Sequence, residues 1–273
     1  MPALPYLVNC SILFTELPVL DRPAAARAAG FEAVEFWWPF AQSVPASEDV
    51  DAFVGAVHDA GVQLIGLNFA AGDMAAGDRG LVSWPDRQEE FLANVDIAVD
   101  IGQRLGVQAF NALYGNRLDD VEPGEQDAIG AENLARAARA ADTIGALVLV
   151  EPVSGAPRYP LLTAADVLAV IDRTERAHDV SNLRLLADLY HLTVNGDDVE
   201  SVLTTQASRI GHVQVADAPG RHEPGTGTIP IQHYLDVLAE AGFAGWVGLE
   251  YTPSTNTQAS FEWLPTAHRS AGS

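Results

Sequence analysis

Four oxygen-bearing side chains stand at the ends of four short apolar runs in the second half of the chain. They are Glu151 in 147–151, Asp188 after 183–187, Gln214 in 210–214 and Glu250 in 246–250. In parallel α/β proteins, catalytic groups lie at the carboxyl ends of the strands. One acidic residue in such a place is usually a helix cap or a surface charge. Four oxygen-bearing side chains in succession instead indicate a shared site.

The chemistry of this set points to a metal ion. Three carboxylates crowded into a partly desolvated site must either raise their pKa values or share a cation. Oxygen donors suit Mg²⁺ or Mn²⁺, whereas zinc favours histidine and cysteine. The pattern therefore predicts that these four residues bind one divalent metal ion. His191, three residues after Asp188, and His212, two before Gln214, could also supply nitrogen.

Composition excludes several classes of partner. The 273 residues are 48% hydrophobic and carry a net charge of −22, with a pI near 4.4. So acidic a chain repels phosphate backbones, which argues against nucleic acid. No apolar run reaches the roughly 18 residues of a membrane span, and the N-terminus lacks the basic segment of a secretory signal. The single cysteine, Cys10, permits no internal disulfide, so we expect a cytoplasmic protein that binds a small molecule.

Strand-like and helix-like segments alternate along the whole chain. The predicted strands are 7–13, 33–36, 62–67, 107–111, 147–151, 183–187, 210–215 and 246–250. The predicted helices include 48–60, 85–105, 124–145, 164–178, 199–208, 231–241 and a last one over about 258–268. Strict alternation indicates a parallel sheet with crossover helices, and eight units favour a closed (β/α)₈ TIM barrel.

The alternative is an open doubly wound sheet. Such a sheet normally carries a Gly-x-Gly-x-x-Gly turn after its first strand, and residues 15–18 lack one. No linker, low-complexity segment or short repeat interrupts the chain, so residues 1–273 are predicted to form a single domain.

Two loops could reach the predicted site. Residues 71–80 are glycine-rich and long for a barrel connection, and they fit either a lid or an ordered surface excursion. In the turn-rich loop that follows the seventh strand, Arg221 offers a planar five-donor guanidinium that could hold a substrate carboxylate or a pair of hydroxyls. A surface ion pair of Arg221 with Asp217 or Glu223 is equally compatible with the sequence.

A series of short motifs runs through the chain in a distinctive order. They are Val34-Glu-Phe36 with Pro39, Ala71-Gly-Asp73 with Ala75-Ala-Gly77 and Arg79-Gly80, Glu151-Pro152, Asp188-x-Tyr-His191, Gly211-His-Val-Gln-Val-Ala-Asp217, Arg221-x-Glu-Pro-Gly-Thr-Gly227, and Gly245-Trp-Val-Gly-x-Glu-Tyr251. Together, and nearly end to end, they resemble the hydroxypyruvate isomerase family within the xylose isomerase-like TIM barrels.

The resemblance implies an acid–base isomerase with one divalent metal ion bound by Glu151, Asp188, Gln214 and Glu250. Glu151 and Glu250 would also form the proton-transfer pair. The substrate-binding candidates are His191, Arg221, Asn68, His212 and Glu223. The implied reaction converts hydroxypyruvate to tartronate semialdehyde, with the metal ion stabilising the enediolate oxygens. The family resemblance also implies a homo-oligomer.

Three residues depart from the family's pattern. Leu67, Ser154 and Thr252 stand where the family carries histidine, asparagine and lysine. These changes leave the metal chemistry intact but alter which substrate tail is held. The alternative substrates are therefore a 2-oxo-tetronate or a free ketose undergoing 3-epimerisation.

Two further classes are compatible with the same barrel. A DNA-repair endonuclease would need a histidine-rich three-zinc site and a basic face, which seven histidines and a charge of −22 disfavour. A barrel that binds a sugar or a metal ion without turning it over is the other alternative.

Overall fold

Eight parallel strands close into one barrel, and each strand pairs with its neighbours in chain order. The computed structural model describes residues 4–269. The strands are β1 Tyr6–Asn9, β2 Ala33–Phe36, β3 Gln63–Asn68, β4 Ala109–Asn111, β5 Leu147–Val150, β6 Leu183–Asp188, β7 Ile210–Val215 and β8 Val247–Leu249. The predicted (β/α)₈ TIM barrel is confirmed.

Helices cover the outside of the barrel. They are α1 Arg22–Ala28, α2 Ser47–Ala60, α3 Gln88–Leu105, α4 Pro123–Asp142, α5 Ala164–His178, α6 Leu189–Val194, α7 Val199–Thr205 and α8 Ile231–Glu240. The start of α5 shows how local sequence sets a boundary, because Thr163 and Asp166 form a reciprocal capping box there. Over residues 4–269, we find no helix with both the length and the apolar character needed to cross a bilayer.

The predicted last helix over 258–268 is wrong. That segment contains two short 3₁₀ helices instead, Ala259–Phe261 and Thr266–His268. Pro265 lies between them, has no backbone N–H to donate, and disfavours helical backbone in the residue before it. A continuous helix therefore cannot pass through this position.

A short helix that the sequence did not predict, α6, follows β6 directly. Asp188 ends β6, and its Oδ1 accepts the backbone N–H groups of Tyr190 at 2.8 Å and His191 at 3.1 Å. A carboxylate that accepts first-turn N–H groups caps a helix. One oxygen of Asp188 is therefore committed to the fold, and the turn it caps carries His191 back towards the end of the strand.

The inside of the barrel changes character along the strands. Towards the amino ends lies an apolar floor formed by Leu7, Ala33, Ile65, Ala109, Leu149 and Leu186. Towards the carboxyl ends lies a polar layer of buried side chains formed by Asn9, Glu35, Asn111, Glu151, Asp188, His212, Gln214 and Glu250. Because side chains on a strand alternate with a period of two, floor and layer residues lie two positions apart on most strands.

Candidate active site

The polar layer brings predicted site residues within reach of one another. A carboxylate oxygen of Glu151, one of Asp188 and a ring nitrogen of His191 all lie within 4.8 Å of each other. Glu250 reaches the same place from β8, because Arg221 Nη2 donates to Glu250 Oε1 at 2.6 Å and to Asp188 Oδ2 at 3.2 Å. One guanidinium shared by two carboxylates offsets their mutual repulsion.

Arg221 is held in this position by its own loop. Its backbone adopts a φ of 55°, and its guanidinium carbon lies 5.5 Å from the centre of the Tyr190 ring. In the described part of the chain it pairs with neither acid of its loop. Asp217 instead accepts backbone N–H groups of the same loop, and Glu223 accepts hydrogen bonds from Ser254. The loop is thus built to direct Arg221 inwards.

The two candidate catalytic glutamates resist ionisation. Burial raises the pKa of Glu151 to about 7, and the nearby Asp188 adds to the rise although Asn111 Nδ2 donates to Glu151 Oε1 at 2.7 Å. Burial also raises the pKa of Glu250 well above its usual value, while Arg221 opposes the rise. Raised pKa values of this kind are typical of carboxyl groups that exchange protons in active sites.

His191 presents an N–H group to the site. Its Nδ1 accepts the backbone N–H of Ser154 at 3.0 Å and lies 2.7 Å from Ser154 Oγ. Burial lowers the pKa of His191 to about 4, so at neutral pH the ring carries a single proton, on Nε2. Nε2 lies 3.5 Å from Asp188 Oδ2. This tautomer makes His191 a hydrogen-bond donor, which suits a contact with substrate better than metal ligation.

The donor set fits a hard divalent cation. Glu151, Asp188 and Glu250 offer carboxylate oxygens, and Gln214 is the strand neighbour of Asp188. Gln214 Oε1 is buried and accepts no hydrogen bond from the described residues. Buried polar atoms are nearly always paired, and an unpaired amide oxygen next to carboxylates is a ligand that Mg²⁺ or Mn²⁺ accepts.

The other three substrate-binding candidates, His212, Asn68 and Glu223, make their described side-chain contacts with residues other than the four candidate metal ligands. His212 Nε2 is 2.7 Å from Glu35 Oε2, deeper in the barrel than Gln214. Asn68 lines a cavity of about 190 Å³ with Trp37 and Trp38, and none of the candidate metal ligands is among the described residues that line it. Glu223 contacts Ser254 in the loop above. Their roles in binding substrate stay predictions.

Three buried polar residues of the layer were not singled out from the sequence: Asn9, Glu35 and Asn111. Asn9 Nδ2 donates to Glu35 Oε1 at 3.1 Å and to Glu250 Oε2 at 3.0 Å, so it links β1, β2 and β8. The available signal was a glutamate inside the apolar run Ala33–Phe36, because a buried charge requires partners.

The glycine-rich loop 71–80 is hydrogen-bonded to the neighbouring loop. Gly115 and Asn116 each donate a 2.9 Å hydrogen bond to one of its carbonyls. Gly80 has a φ of 106°, and a Cβ there would lie 1.9 Å from the carbonyl oxygen of Leu113. Only glycine permits so close an approach.

The fold agrees with comparisons to known proteins. The sequence model of the family described as xylose isomerase-like TIM barrel matches residues 23–267. A solved structure from Brucella melitensis, named AP endonuclease, family 2, is 30% identical with a TM-score of 0.85, covering 95% of this chain and 98% of that one. This chain belongs to the xylose isomerase-like TIM barrel family.

Relatives with assigned names show more closely where the chain belongs within this family. A Streptomyces coelicolor protein provisionally named hydroxypyruvate isomerase is 54% identical over 97% of this chain and 96% of its own. The 2-oxo-tetronate isomerase of Cupriavidus necator is 35% identical over 95% and 96%, and the hydroxypyruvate isomerase of Escherichia coli is 34% identical over 95% and 97%. The resemblance to the hydroxypyruvate isomerase family is confirmed, and the chain is an isomerase.

Proposed function

We propose that this protein interconverts the ketose and aldose forms of a small hydroxy-keto acid, with hydroxypyruvate and tartronate semialdehyde as the reacting pair. The observation that carries the proposal is the approach of Glu151, Asp188 and His191 within 4.8 Å at the carboxyl end of the barrel, next to the unpaired oxygen of Gln214. The relatives named for this reaction, and for 2-oxo-tetronate isomerisation, support the substrate class.

One divalent ion, Mg²⁺ or Mn²⁺, completes the proposed site. Glu151, Asp188, Gln214 and Glu250 would hold it. When bound, the cation supplies Lewis-acid stabilisation of negative charge on the substrate oxygens. The all-oxygen donor set of this chain is the reason for choosing these ions over zinc.

Glu151 and Glu250 carry the proton transfer. One carboxylate removes a proton from the hydroxyl-bearing carbon of the substrate, and the other glutamate, as the acid, delivers a proton to the adjacent carbonyl carbon. The hydroxyl proton passes to the former carbonyl oxygen, so the atoms balance and no oxidant is needed. In the metal-free protein, burial raises the pKa of both groups and so favours the protonated carboxyl group that one of them needs as the acid.

His191 and Arg221 orient the substrate. His191 donates from Nε2 to a substrate oxygen, and its ring is fixed by Ser154. Arg221 provides the permanent positive charge that a carboxylate substrate requires, in a geometry that allows two parallel hydrogen bonds.

A 2-oxo-tetronate is the second candidate substrate. Two of the residues that depart from the family pattern contact the substrate-orienting residues: Ser154 hydrogen-bonds His191, and the backbone N–H of Thr252 donates to the carbonyl of Arg221 at 2.8 Å. The third, Leu67, packs in the apolar core. Changes next to His191 and Arg221 alter the space for a longer tail while leaving the carboxylates in place.

Assays on chelator-treated protein test the proposal. Hydroxypyruvate, a 2-oxo-tetronate and free ketoses are supplied in turn, with and without Mg²⁺ or Mn²⁺. We expect activity only after metal is restored, and the highest kcat/KM with hydroxypyruvate. Equal rates with and without chelator would contradict the mechanism. A higher kcat/KM with the tetronate or a ketose would reassign the substrate.

The other classes give different results in the same experiments. A barrel that only binds its ligand would show no uptake of deuterium at the substrate carbon in deuterated water. Endonuclease activity is disfavoured because a chain of charge −22 repels DNA. The homo-oligomeric state, the cytoplasmic location and the single-domain organisation of residues 1–273 stay predictions.

A further inference from the structure

Glu35 is a buried carboxylate that the proposed reaction does not use. It points into the barrel from β2 and is 4% exposed. Three side-chain nitrogens converge on it: Gln214 Nε2 at 2.8 Å and Asn9 Nδ2 at 3.1 Å contact Oε1, and His212 Nε2 at 2.7 Å contacts Oε2. Such full pairing is what a buried carboxylate needs.

The contact with Gln214 decides which way its amide faces. A carboxylate oxygen only accepts hydrogen bonds, so the atom of Gln214 that meets Glu35 must be the NH₂ nitrogen. The carbonyl oxygen is thereby turned away from Glu35. That oxygen is one of the buried side-chain atoms without a hydrogen-bond partner among residues 4–269. Glu35 thus leaves the metal-binding atom of Gln214 free.

The same carboxylate also acts on Glu250. Asn9 Nδ2 contacts both Glu35 Oε1 and Glu250 Oε2, the latter at 3.0 Å, while Asn9 Oδ1 accepts the backbone N–H of Ser11 at 2.9 Å. The NH₂ group of Asn9 therefore donates to both Glu35 and Glu250, and it holds the two carboxylates in a fixed position relative to each other.

The barrel makes room for Glu35 by omitting side chains around it. A Cβ on Gly248 would lie 2.7 Å from Glu35 Oε1, and a Cβ on Gly66 would lie 3.2 Å from Glu35 Oε2. Any larger residue at Gly248 would push directly on the oxygen that Gln214 and Asn9 share.

We propose that Glu35 is the positioning residue of the metal site: it orients the amide of Gln214 so that the carbonyl oxygen faces the cation, and through Asn9 it holds Glu250. This inference rests on the proposed function, since it assumes that Gln214 is a metal ligand. His212 supports Glu35 by donating to its second oxygen.

The test measures Mn²⁺ dissociation constants by calorimetry on chelator-treated protein, without any assay of activity. Glu35→Gln removes the charge and leaves one acceptor oxygen for the three nitrogens of Asn9, His212 and Gln214, so the amide of Gln214 is no longer held in a single orientation. We expect the dissociation constant to rise about 10- to 100-fold, as for other losses of hydrogen-bond partners of metal ligands.

A double-mutant cycle separates orientation from loss of charge. In a Gln214→Leu background the ligand oxygen is gone, so Glu35→Gln should there weaken Mn²⁺ binding only about threefold, through charge and Asn9. An equal factor in both backgrounds would show that Glu35 acts by charge or by general packing, and would overturn the inference.

Gly248→Ala serves as a second variant if Glu35→Gln fails to fold. It leaves every charge in place and displaces Glu35 Oε1, so we expect weaker Mn²⁺ binding in the wild-type background and little change in the Gln214→Leu background. Failure of the proposed function and failure of the inference about Glu35 would give different results. A wild-type protein that binds no Mn²⁺ at millimolar concentration contradicts the proposed function itself, whereas normal binding with no coupling contradicts only the role of Glu35.

Discussion

The apolar floor and the polar layer of the barrel are built on the same strands but have opposite energetics. Leu149 and Leu186 in the floor are at most 2% exposed, and two residues further along their strands lie Glu151 and Asp188. Burial of the leucines stabilises the fold by releasing apolar surface from water, whereas burial of the carboxylates costs desolvation. Burial of the apolar floor therefore stabilises the fold and offsets the cost of burying the carboxylates that the proposed reaction needs.

Removing either carboxylate of the proposed proton-transfer pair should give the largest effect. We expect Glu151→Gln and Glu250→Gln each to lower kcat by about 10³-fold, the range for loss of a general acid or base. Thermal unfolding of the metal-free protein should stay at the same temperature or rise, because a neutral amide avoids the desolvation of a charge. Kinetics and calorimetry check both parts. The exposed Glu89→Gln is the matched control and should change neither.

Shortening a leucine of the apolar floor should mainly reduce stability, whereas the glutamate substitutions should mainly reduce kcat. Leu149→Ala and Leu186→Ala should lower the free energy of unfolding by about 2–5 kcal/mol through lost burial and a cavity. We expect Mn²⁺ affinity to change far less than in the glutamate variants. Urea denaturation and metal titration would measure the two quantities. A floor variant that lost metal affinity while keeping its stability would contradict the view that the floor acts on stability and the layer on metal binding.

The pH dependence of stability should also differ between the regions. The pKa of Glu151 is raised to about 7 in the native state, so the native protein binds this proton more tightly than the unfolded chain. The contribution of Glu151 to the stability of the metal-free protein should therefore be complete below the ordinary carboxyl pKa and be lost, by about 3 kcal/mol, as pH rises through 7. The pKa of Glu250 is raised too, so it contributes in the same direction. His191, whose pKa is lowered to about 4, contributes in the opposite direction over an overlapping pH range, so the Glu151 contribution is measured as the difference between wild type and Glu151→Gln.

Thermal unfolding in chelator, followed between about pH 5 and pH 8, measures this loss. Glu151→Gln should gain stability relative to wild type as pH rises, whereas Leu149→Ala should lower the profile by the same amount at all pH values. A difference between wild type and Glu151→Gln that stays constant over this pH range would contradict the raised pKa of Glu151.

Much of the layer was predictable because its chemistry coincides with strand ends. Glu151, Asp188, Gln214 and Glu250 each end a recognisable apolar run, and a parallel barrel brings consecutive strand ends together. The role of the Asp188–His191 spacing was less visible. It also reflects a helix cap, and the α6 turn is too short for apolar periodicity to reveal.

Glu35 and Asn9 could not be assigned in the same way. Both lie on short strands of the first quarter of the chain, and Glu35 meets Gln214 from 179 residues away, as Asn9 meets Glu250 from 241. Nothing in local pattern records a contact across that separation. The inward direction of Arg221 was likewise open, since its sequence neighbours Asp217 and Glu223 were equally plausible partners.

The sequence by itself determined the alternation of eight strands and helices and the oxygen donors at strands five to eight, because periodicity and strand ends are local properties. Only the tertiary structure decided which atoms of those donors are free, because closure of the barrel sets Glu35 against Gln214 and Arg221 against two carboxylates. Hydrogen-bond direction between distant residues depends on that closure, and it determines what the site can hold.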